Sequence, residues 1–354
     1  MAQGAPEPRG GLAMGAQDLL ARAVAAEAHA RAFRDAIARD MAIPESLRLD
    51  ERTRAGVRTR LEQIVGAIEG SLRRAIAPEG FPGIGPTLGL LDAAGVAADP
   101  ALAGELLASV RLDQLAAGLP HHAPDDPARP SLLNRLAEHP APALSEAARA
   151  LLLAESRARS PDAGRWRLPL ALHRRLLWWV AAAMREQAGP LAGSAMDAAI
   201  VAAVHAEYAL AERCAGDQVE AAAFRLVDAL APAPREWLRL LQEALRDRRL
   251  PLFLALLGRA AEIDVAEARA LVLDPGAERL LLVLHALGVP REGIAELCFG
   301  LCNADPARDL AALADAVDTL ATVDVPQAEA LLLSLRHAPE YRAARAALQG
   351  ARAG

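Results

Sequence analysis

The side chains best suited to metal chemistry lie in one proline-rich loop of the sequence, between Pro120 and Pro130. Imidazole and carboxylate groups are common ligands of zinc and manganese. The candidate ligands are the two histidines and two aspartates of this loop and the histidine at the end of the next predicted helix: His121, His122, Asp125, Asp126 and His139. Adjacent histidines point apart, and no HExxH or CxxC spacing accompanies them. We therefore interpret the loop as solvated and predict no metal and no cofactor, with a metal site as the alternative.

The purified protein should accordingly carry no stoichiometric metal, and a chelator should leave its melting temperature unchanged. Elemental analysis after dialysis, and thermal unfolding with and without chelator, measure the two quantities. The prediction would be contradicted by one equivalent of zinc that survives dialysis and is lost in a double variant, His121→Ala with His122→Ala.

Two cysteines are the other candidates for chemistry. Cys298 and Cys302 lie four residues apart on a predicted helix, Arg291 to Cys302, and flank its apolar stripe. One helix face could offer two thiolates to a metal, but the spacing of the chain indicates no further ligands. A cysteine nucleophile also needs a lowered pKa and a partner base, and neither is present nearby in the sequence. We interpret both thiols as small apolar groups of a core.

The basic residues exclude several kinds of enzyme. All 39 are arginines, so a Schiff-base lysine and a phosphate-loop lysine are both excluded in this chain. The net charge is −6, and the charged residues form no long blocks of one sign. Such a mildly acidic chain is unfavourable for binding duplex nucleic acid, because most of that affinity comes from basic residues that neutralise phosphates. No carboxylate pair and no GxSxG sequence stands out. We assign no catalytic residue, and a binding protein is favoured over an enzyme.

A cluster of arginines is the first candidate partner site. Arg246, Arg248 and Arg249 surround Asp247, just before the apolar run Leu250 to Leu257. On a continuous helix, Arg246 and Arg249 share a face because they lie three residues apart. Two guanidinium forks on one face could grip an acidic group of a protein partner. The alternative is a helix end whose arginines offset the helix dipole.

A tryptophan pair is the second candidate partner site in a chain that is only 3% aromatic. In the predicted helix Leu168 to Gln187, the apolar pattern places Trp179 at the edge of the buried side. The same pattern turns Trp178 outward, towards Arg174 and Arg185. Either the helix is buried nearly all round, or Trp178 is an exposed anchor for a partner.

Composition and pattern predict an all-α protein, because alanine, leucine and arginine dominate and no stretch alternates with period two. Short Gly, Pro and Asp stops separate apolar helical segments, which is typical of stacked helix pairs. We expect an irregular HEAT-like α-solenoid, with a helical bundle as the alternative. The predicted divisions are a disordered tail (1–16), a long helical hairpin (17–77), short helices with proline-rich linkers (78–129), a repeat-like body (130–349) and a second tail (350–354).

The second helix of the predicted hairpin begins after Asp50, a suitable N-cap, and ends near Ala77. Its apolar stripe consists of Val57, Leu61, Ile64, Ile68 and Leu72. Two helices with such narrow stripes do not close a core by themselves. They need further helices or a second copy of the chain, so a homo-oligomer formed through this hairpin is one option.

Three further features of the sequence indicate the cellular compartment of the protein. The first 16 residues lack a basic cluster followed by an apolar run, so we expect no secretory signal. The longest apolar stretch, Leu168 to Met184, is interrupted by charged residues, which argues against a membrane span. Three cysteines are too few for a disulfide framework. We predict a cytoplasmic protein.

Three runs of the sequence resemble a known family: LRLDERTRAGVRTRLEQIVGAIEGSLRR (Leu47 to Arg74), RPSLLNRLAEHP (Arg129 to Pro140) and the run from Leu245 to Leu297. They are similar to the alphaproteobacterial family catalogued as domain of unknown function 2336, and the likeness extends from about Leu19 to Leu348. The resemblance implies a soluble, all-helical bacterial protein and no catalytic residues. We therefore expect a non-enzymatic protein–protein interaction scaffold or regulator. The alternative is an enzyme or sensor whose site is assembled from distant helices.

Overall fold

The described part of the protein is α-helical in a computed structural model, and no strand occurs in it. It comprises residues 15, 19–22, 25–26, 50–76, 85–120, 130–159, 168–189 and 194–353. Its sixteen helices with defined ends are α1 (Glu51–Ile76), α2 (Leu88–Ala93), α3 (Pro100–Gly118), α4 (Leu132–Ala137), α5 (Pro142–Ala158), α6 (Leu170–Ala188), α7 (Ser194–Cys214), α8 (Val219–Leu230), α9 (Trp237–Arg246), α10 (Leu250–Ala261), α11 (Val265–Leu273), α12 (Glu278–Ala286), α13 (Arg291–Ala304), α14 (Leu310–Leu320), α15 (Val325–Leu335) and α16 (Pro339–Ala353). The all-α prediction is confirmed.

Local chemistry explains many of the helix ends. Asp264 accepts a hydrogen bond of 2.8 Å from the Glu267 amide and caps α11. Asp309 caps α14 in the same way, through the amide of Ala311. Gly189 and Gly288 follow α6 and the last turn of α12 with φ values of 73° and 72°, a region that favours glycine. The predicted stops at Gly189 and Gly288 therefore lie between helices.

Contacts divide the chain into two compact units, each built from separated segments. The first unit contains residues 1–31, 114–138 and 227–354, and the second contains residues 32–113 and 139–226. Helices α3 and α8 each have residues in both units. Most of residues 17–49 lie outside the described part, so the hairpin of residues 17–77 stays a prediction.

The core of the second unit is formed by α1 together with α6 and α7, and α2 and α3 also contribute buried residues to it. The five residues of the predicted stripe on α1 are all buried: Val57, Leu61, Ile64, Ile68 and Leu72. Asp50 caps α1, as expected, and accepts a hydrogen bond of 2.8 Å from the Thr53 amide. A second hydrogen bond, from the Thr53 hydroxyl, is the main reason that the pKa of Asp50 is lowered. The sequence correctly predicted the buried face and the beginning of this helix.

The first unit has two helices at its centre. Nine of the twelve residues of α10 are buried, and so are residues 279–284 of α12. Helix α12 packs against α13, α14 and α15, while α9 packs against α10 and α13. A helix that is apolar on all sides needs neighbours on all sides. Within the described residues, no helix is both long enough and apolar enough to cross a membrane. The solenoid arrangement stays a prediction.

Candidate functional site

A groove in the first unit lies between α9 and α13 and has a volume of about 480 Å³. Leu245 and Leu297 provide apolar lining, and Phe299 and Gly300 extend it along α13. Its polar lining includes Gln242, Arg246, Glu296 and Asn303. This volume falls within the range of about 300–1,000 Å³ that is usual for ligand pockets. The groove therefore combines apolar surface with one charged pair.

The two helices approach closely because glycines of α13 face leucines of α9. A Cβ atom added to Gly293 would lie 2.7 Å from a methyl carbon of Leu238. One added to Gly300 would lie 3.2 Å from a methyl carbon of Leu245. Both glycines and both leucines are seven residues apart, so two turns of each helix are in register. Leu245 directly precedes Arg246, so this helix contact fixes the position of the backbone that carries Arg246 at the groove.

Arg246 ends α9 and forms an ion pair with Glu296 of α13, with 2.6 Å between Nη2 and Oε1. Gln242 also donates a hydrogen bond to the Glu296 carboxylate. The Arg246 side chain is 54% exposed. The structure thus places this predicted partner residue at the surface of the groove, with its guanidinium engaged by a neighbouring helix.

The expectation that Arg246 and Arg249 share a helix face is wrong. Helix α9 ends at Arg246 because Arg248 adopts φ of 56°, which breaks the helix. Arg249 is then the half-buried residue that precedes α10. Arg248 donates hydrogen bonds to the carbonyl groups of Ala116 (2.7 Å) and Ala117 (3.2 Å) at the end of α3. The three arginines consequently have three different surroundings.

The predicted orientations of the two tryptophans are reversed in the structure. Trp178 is half-buried against the core of the second unit, and its ring meets that of His205 edge to face at 5.6 Å. Trp179 is 43% exposed. The pattern misassigned them because Trp178 faces α7, the neighbour of α6, which the periodicity of α6 alone does not reveal. The partner-binding role of Trp178 stays a prediction.

Trp179 lines a second groove, which lies in the second unit and has a volume of about 320 Å³. Leu102, Leu172 and Leu176 also line this groove. Arg175 contributes to it and donates a hydrogen bond to Asp99, the residue before α3. Among the residues of this unit that the structure describes, the exposed aromatic side chain is therefore that of Trp179.

The candidate metal ligands of the proline-rich loop, His121, His122, Asp125 and Asp126, lie outside the described residues. His139 is exposed, and its Nδ1 accepts a hydrogen bond of 3.2 Å from the Ala141 amide. Nowhere in the part of the chain that the structure describes do three or more metal-ligand side chains form a group. The metal prediction is therefore untested for the loop.

The two cysteines of α13 are buried, as the sequence predicted. Burial raises the pKa of the Cys298 thiol to about 12, against a smaller lowering by the charge of Arg308. Burial also raises the pKa of Cys302. Both side chains thus fit a packing role.

Most of these features fall within a segment that matches the profile of a protein family. The profile of a bacterial protein family, described as an uncharacterised protein conserved in bacteria (DUF2336), matches residues 126–332, which is more than half of the chain. The chain belongs to this family. The match confirms the family that the sequence resembles, and the run Leu47 to Arg74 lies outside the matched residues. No curated protein and no solved structure matches the chain.

The DUF2336 segment includes α4 to α14 and most of α15. It contains the contact between α9 and α13 and every lining residue of the first groove except Leu119 and Pro120. It also contains both tryptophans of α6. Helices α1 and α16 lie outside the matched segment. The first groove is therefore largely a feature of the family segment.

A buried charge cluster that the sequence did not predict joins two residues of the DUF2336 segment to Arg342, which lies outside it. Glu267 of α11 accepts hydrogen bonds from Arg279 of α12 and from Arg342 of α16. Glu267 and Arg279 are buried, and the Arg342 side chain is nearly so. These residues are separated by 12 and 75 positions along the chain. No local pattern links residues so far apart, so only the packed structure could reveal the cluster.

Proposed function

We propose that this DUF2336 protein is a non-enzymatic protein–protein interaction scaffold or regulator that receives a segment of a partner protein in the groove between α9 and α13. The observation that carries the proposal is the combination of apolar lining with a half-exposed arginine, Arg246. Arginine and aromatic side chains are enriched among the residues that dominate binding energy at protein interfaces. Phe299 supplies the aromatic group of the same groove.

The chemistry of the groove favours a partner segment that carries an apolar side chain next to a carboxylate. The apolar side chain would contact Leu245 and Leu297. The carboxylate would approach Arg246, whose guanidinium has five N–H donors and gives one of them to Glu296 in the bond described above. Exposed ion pairs of this kind contribute less than about 1 kcal/mol to folding. Exchanging Glu296 for a partner carboxylate would therefore cost little.

Arg246→Glu should weaken binding of the partner at least tenfold, or about 1.4 kcal/mol, and should change the melting temperature very little. The loss should be larger at low salt, because screening of the reversed charge is then weakest. The partner is first isolated by affinity capture from the native bacterium. Its dissociation constant is then measured with purified components by titration calorimetry at low and high salt.

Arg259→Glu is the matched control for this measurement. Arg259 is 46% exposed and pairs with Asp228 at 2.6 Å, much as Arg246 pairs with Glu296, but it does not line the groove. The control should bind the partner like the unaltered protein. Equal affinity for the unaltered protein and Arg246→Glu at low salt would refute binding through this groove. An equal loss in both variants would show a general charge effect and would also count against it.

A further inference from the structure

Helix α16 exposes most of the side chains that the structure describes in it. Over residues 339–349, only Arg342 and Ala346 are half-buried, and they lie one turn apart. Arg342 holds the helix to the first unit through its bond with Glu267. The two largest apolar side chains are exposed: Tyr341 by 52% and Leu348 by 67%. Two large apolar groups exposed on a helix that is attached by one side make this face a candidate interaction surface.

The exposed apolar residues follow the spacing of a coiled-coil seam. Tyr341 and Leu348 are seven residues apart and occupy successive a positions of a heptad, with Ala344 at the d position between them. In this register, Arg342 is at position b and Ala346 is at position f. Positions b and f lie away from the seam. The attachment of α16 to the first unit therefore leaves the seam accessible.

The charges beside the seam select the kind of helix that fits it. Glu340 occupies position g and Arg345 occupies position e, five residues later. In a parallel pair, a g side chain of one helix meets the e side chain five residues later on the other helix. A second copy of α16 thus places Glu340 beside Arg345 of the other copy, twice by symmetry. An antiparallel pair would instead bring the two Arg345 side chains together, which is repulsive.

The two charged residues are available for such a pairing. Among the described residues, neither Glu340 nor Arg345 has an oppositely charged group within 4.0 Å. The Arg345 guanidinium lies over the Tyr341 ring, 5.9 Å from its centroid. The His337 ring stacks on the same Tyr341 ring, with 5.5 Å between the two ring centroids. Contacts with Arg345 and His337 therefore fix the position of the Tyr341 side chain in the seam.

We propose that α16 pairs with α16 of a second copy of this chain, as a parallel two-fold dimer in which Tyr341, Ala344 and Leu348 form the seam. Glu340 of each copy forms an ion pair with Arg345 of the other. The seam spans little more than one heptad, so the interface is small and the dimer is weak and reversible, with a dissociation constant in the micromolar range. The proposal is independent of partner binding by the groove between α9 and α13.

Sedimentation velocity of the full chain, over roughly 1–500 μM, measures the dimer, because a micromolar equilibrium shifts within this range. The unaltered protein should change from monomer to dimer. Leu348→Glu should abolish the dimer, and Arg345→Glu should weaken it at least tenfold. The double variant Glu340→Arg with Arg345→Glu should restore it, since the charges are then exchanged. Leu310→Glu, at a leucine of α14 that is 48% exposed, is the control and should dimerise normally.

Each other outcome overturns the proposal. A protein that stays monomeric across the series does not pair through α16. A dimer that persists in Leu348→Glu uses another surface. A dimer that Arg345→Glu weakens and the double variant does not restore excludes the parallel arrangement. A monomer that floats with phosphatidylserine-containing vesicles, and no longer does so as Leu348→Glu, assigns the seam to a membrane surface. Melting curves of all variants should match, since the changed residues are exposed.

Discussion

Glu267→Ala should lower the free energy of unfolding by about 3–5 kcal/mol, because it removes the carboxylate that pairs with the buried guanidinium of Arg279. Arg279 is among the largest fully buried side chains of the described residues, and Glu267 is the carboxylate that accepts its hydrogen bond. Urea unfolding followed by far-ultraviolet circular dichroism measures the change. A loss of less than about 1 kcal/mol would mean that water reaches this cluster, contrary to its burial.

A double variant tests the reason for this loss. Glu267→Leu combined with Arg279→Met removes the two most deeply buried charges and keeps most of the volume, while Arg342 loses Glu267 in this variant and in Glu267→Ala alike. Replacing a buried ion pair by apolar side chains of similar size is often neutral or stabilising. The double variant should therefore be clearly more stable than Glu267→Ala. If the two are equally unstable, the loss comes from packing and the charge argument is refuted.

Gly118→Ala should destabilise the first unit by about 3 kcal/mol, at or above the upper end of ordinary overpacking. A Cβ atom at this position would overlap the carbonyl oxygen of Ala304 and lie 2.9 Å from the carbonyl carbon. Gly118 is the last residue of α3 and Ala304 is the last residue of α13, so the contact is between two helix ends. The Ala304 carbonyl is part of the backbone and cannot move aside as a flexible side chain does. Arg248 further fixes the end of α3 through the carbonyl groups of Ala116 and Ala117. Thermal and urea unfolding measure the loss.

Gly66→Ala is the matched control and should change the free energy of unfolding in the opposite direction. Gly66 is an exposed residue in the middle of α1, and nothing lies within 4 Å of the Cβ atom that alanine would add. Alanine is favoured over glycine in helix interiors by about 1 kcal/mol, so this change should stabilise the protein. If Gly66→Ala and Gly118→Ala have the same effect, close backbone contact does not explain the behaviour of Gly118.

The sequence was a good guide to features that depend on neighbouring residues. The stripe of α1, its cap at Asp50 and the burial of Cys298 and Cys302 all follow from spacing along one helix. A helix repeats every 3.6 residues, so the side that carries apolar residues is the side that packs. The Gly, Pro and Asp stops act equally locally, through backbone conformation and capping. These signals predicted the all-α class and many of the helix ends.

The sequence was a poor guide where a side chain's surroundings depend on which helix lies next to it. Trp178 and Trp179 both border the apolar face of α6, and the position of α7 buries the first of them. The turn at Arg248 separates Arg246 from Arg249, although the spacing of the two residues suits one face.

Contacts between residues far apart in the chain were decided by the tertiary structure alone. Glu267 pairs with Arg279 and Arg342, although the chain has 39 arginines of the same chemistry and nothing in the sequence distinguishes these two as its partners. The groove between α9 and α13 exists because glycines of one helix meet leucines of another. Helical periodicity states which side of a helix is apolar, and it contains no information on which helix covers that side. The sequence by itself therefore determined the helices and their buried faces, while the packing of helix on helix decided the candidate sites.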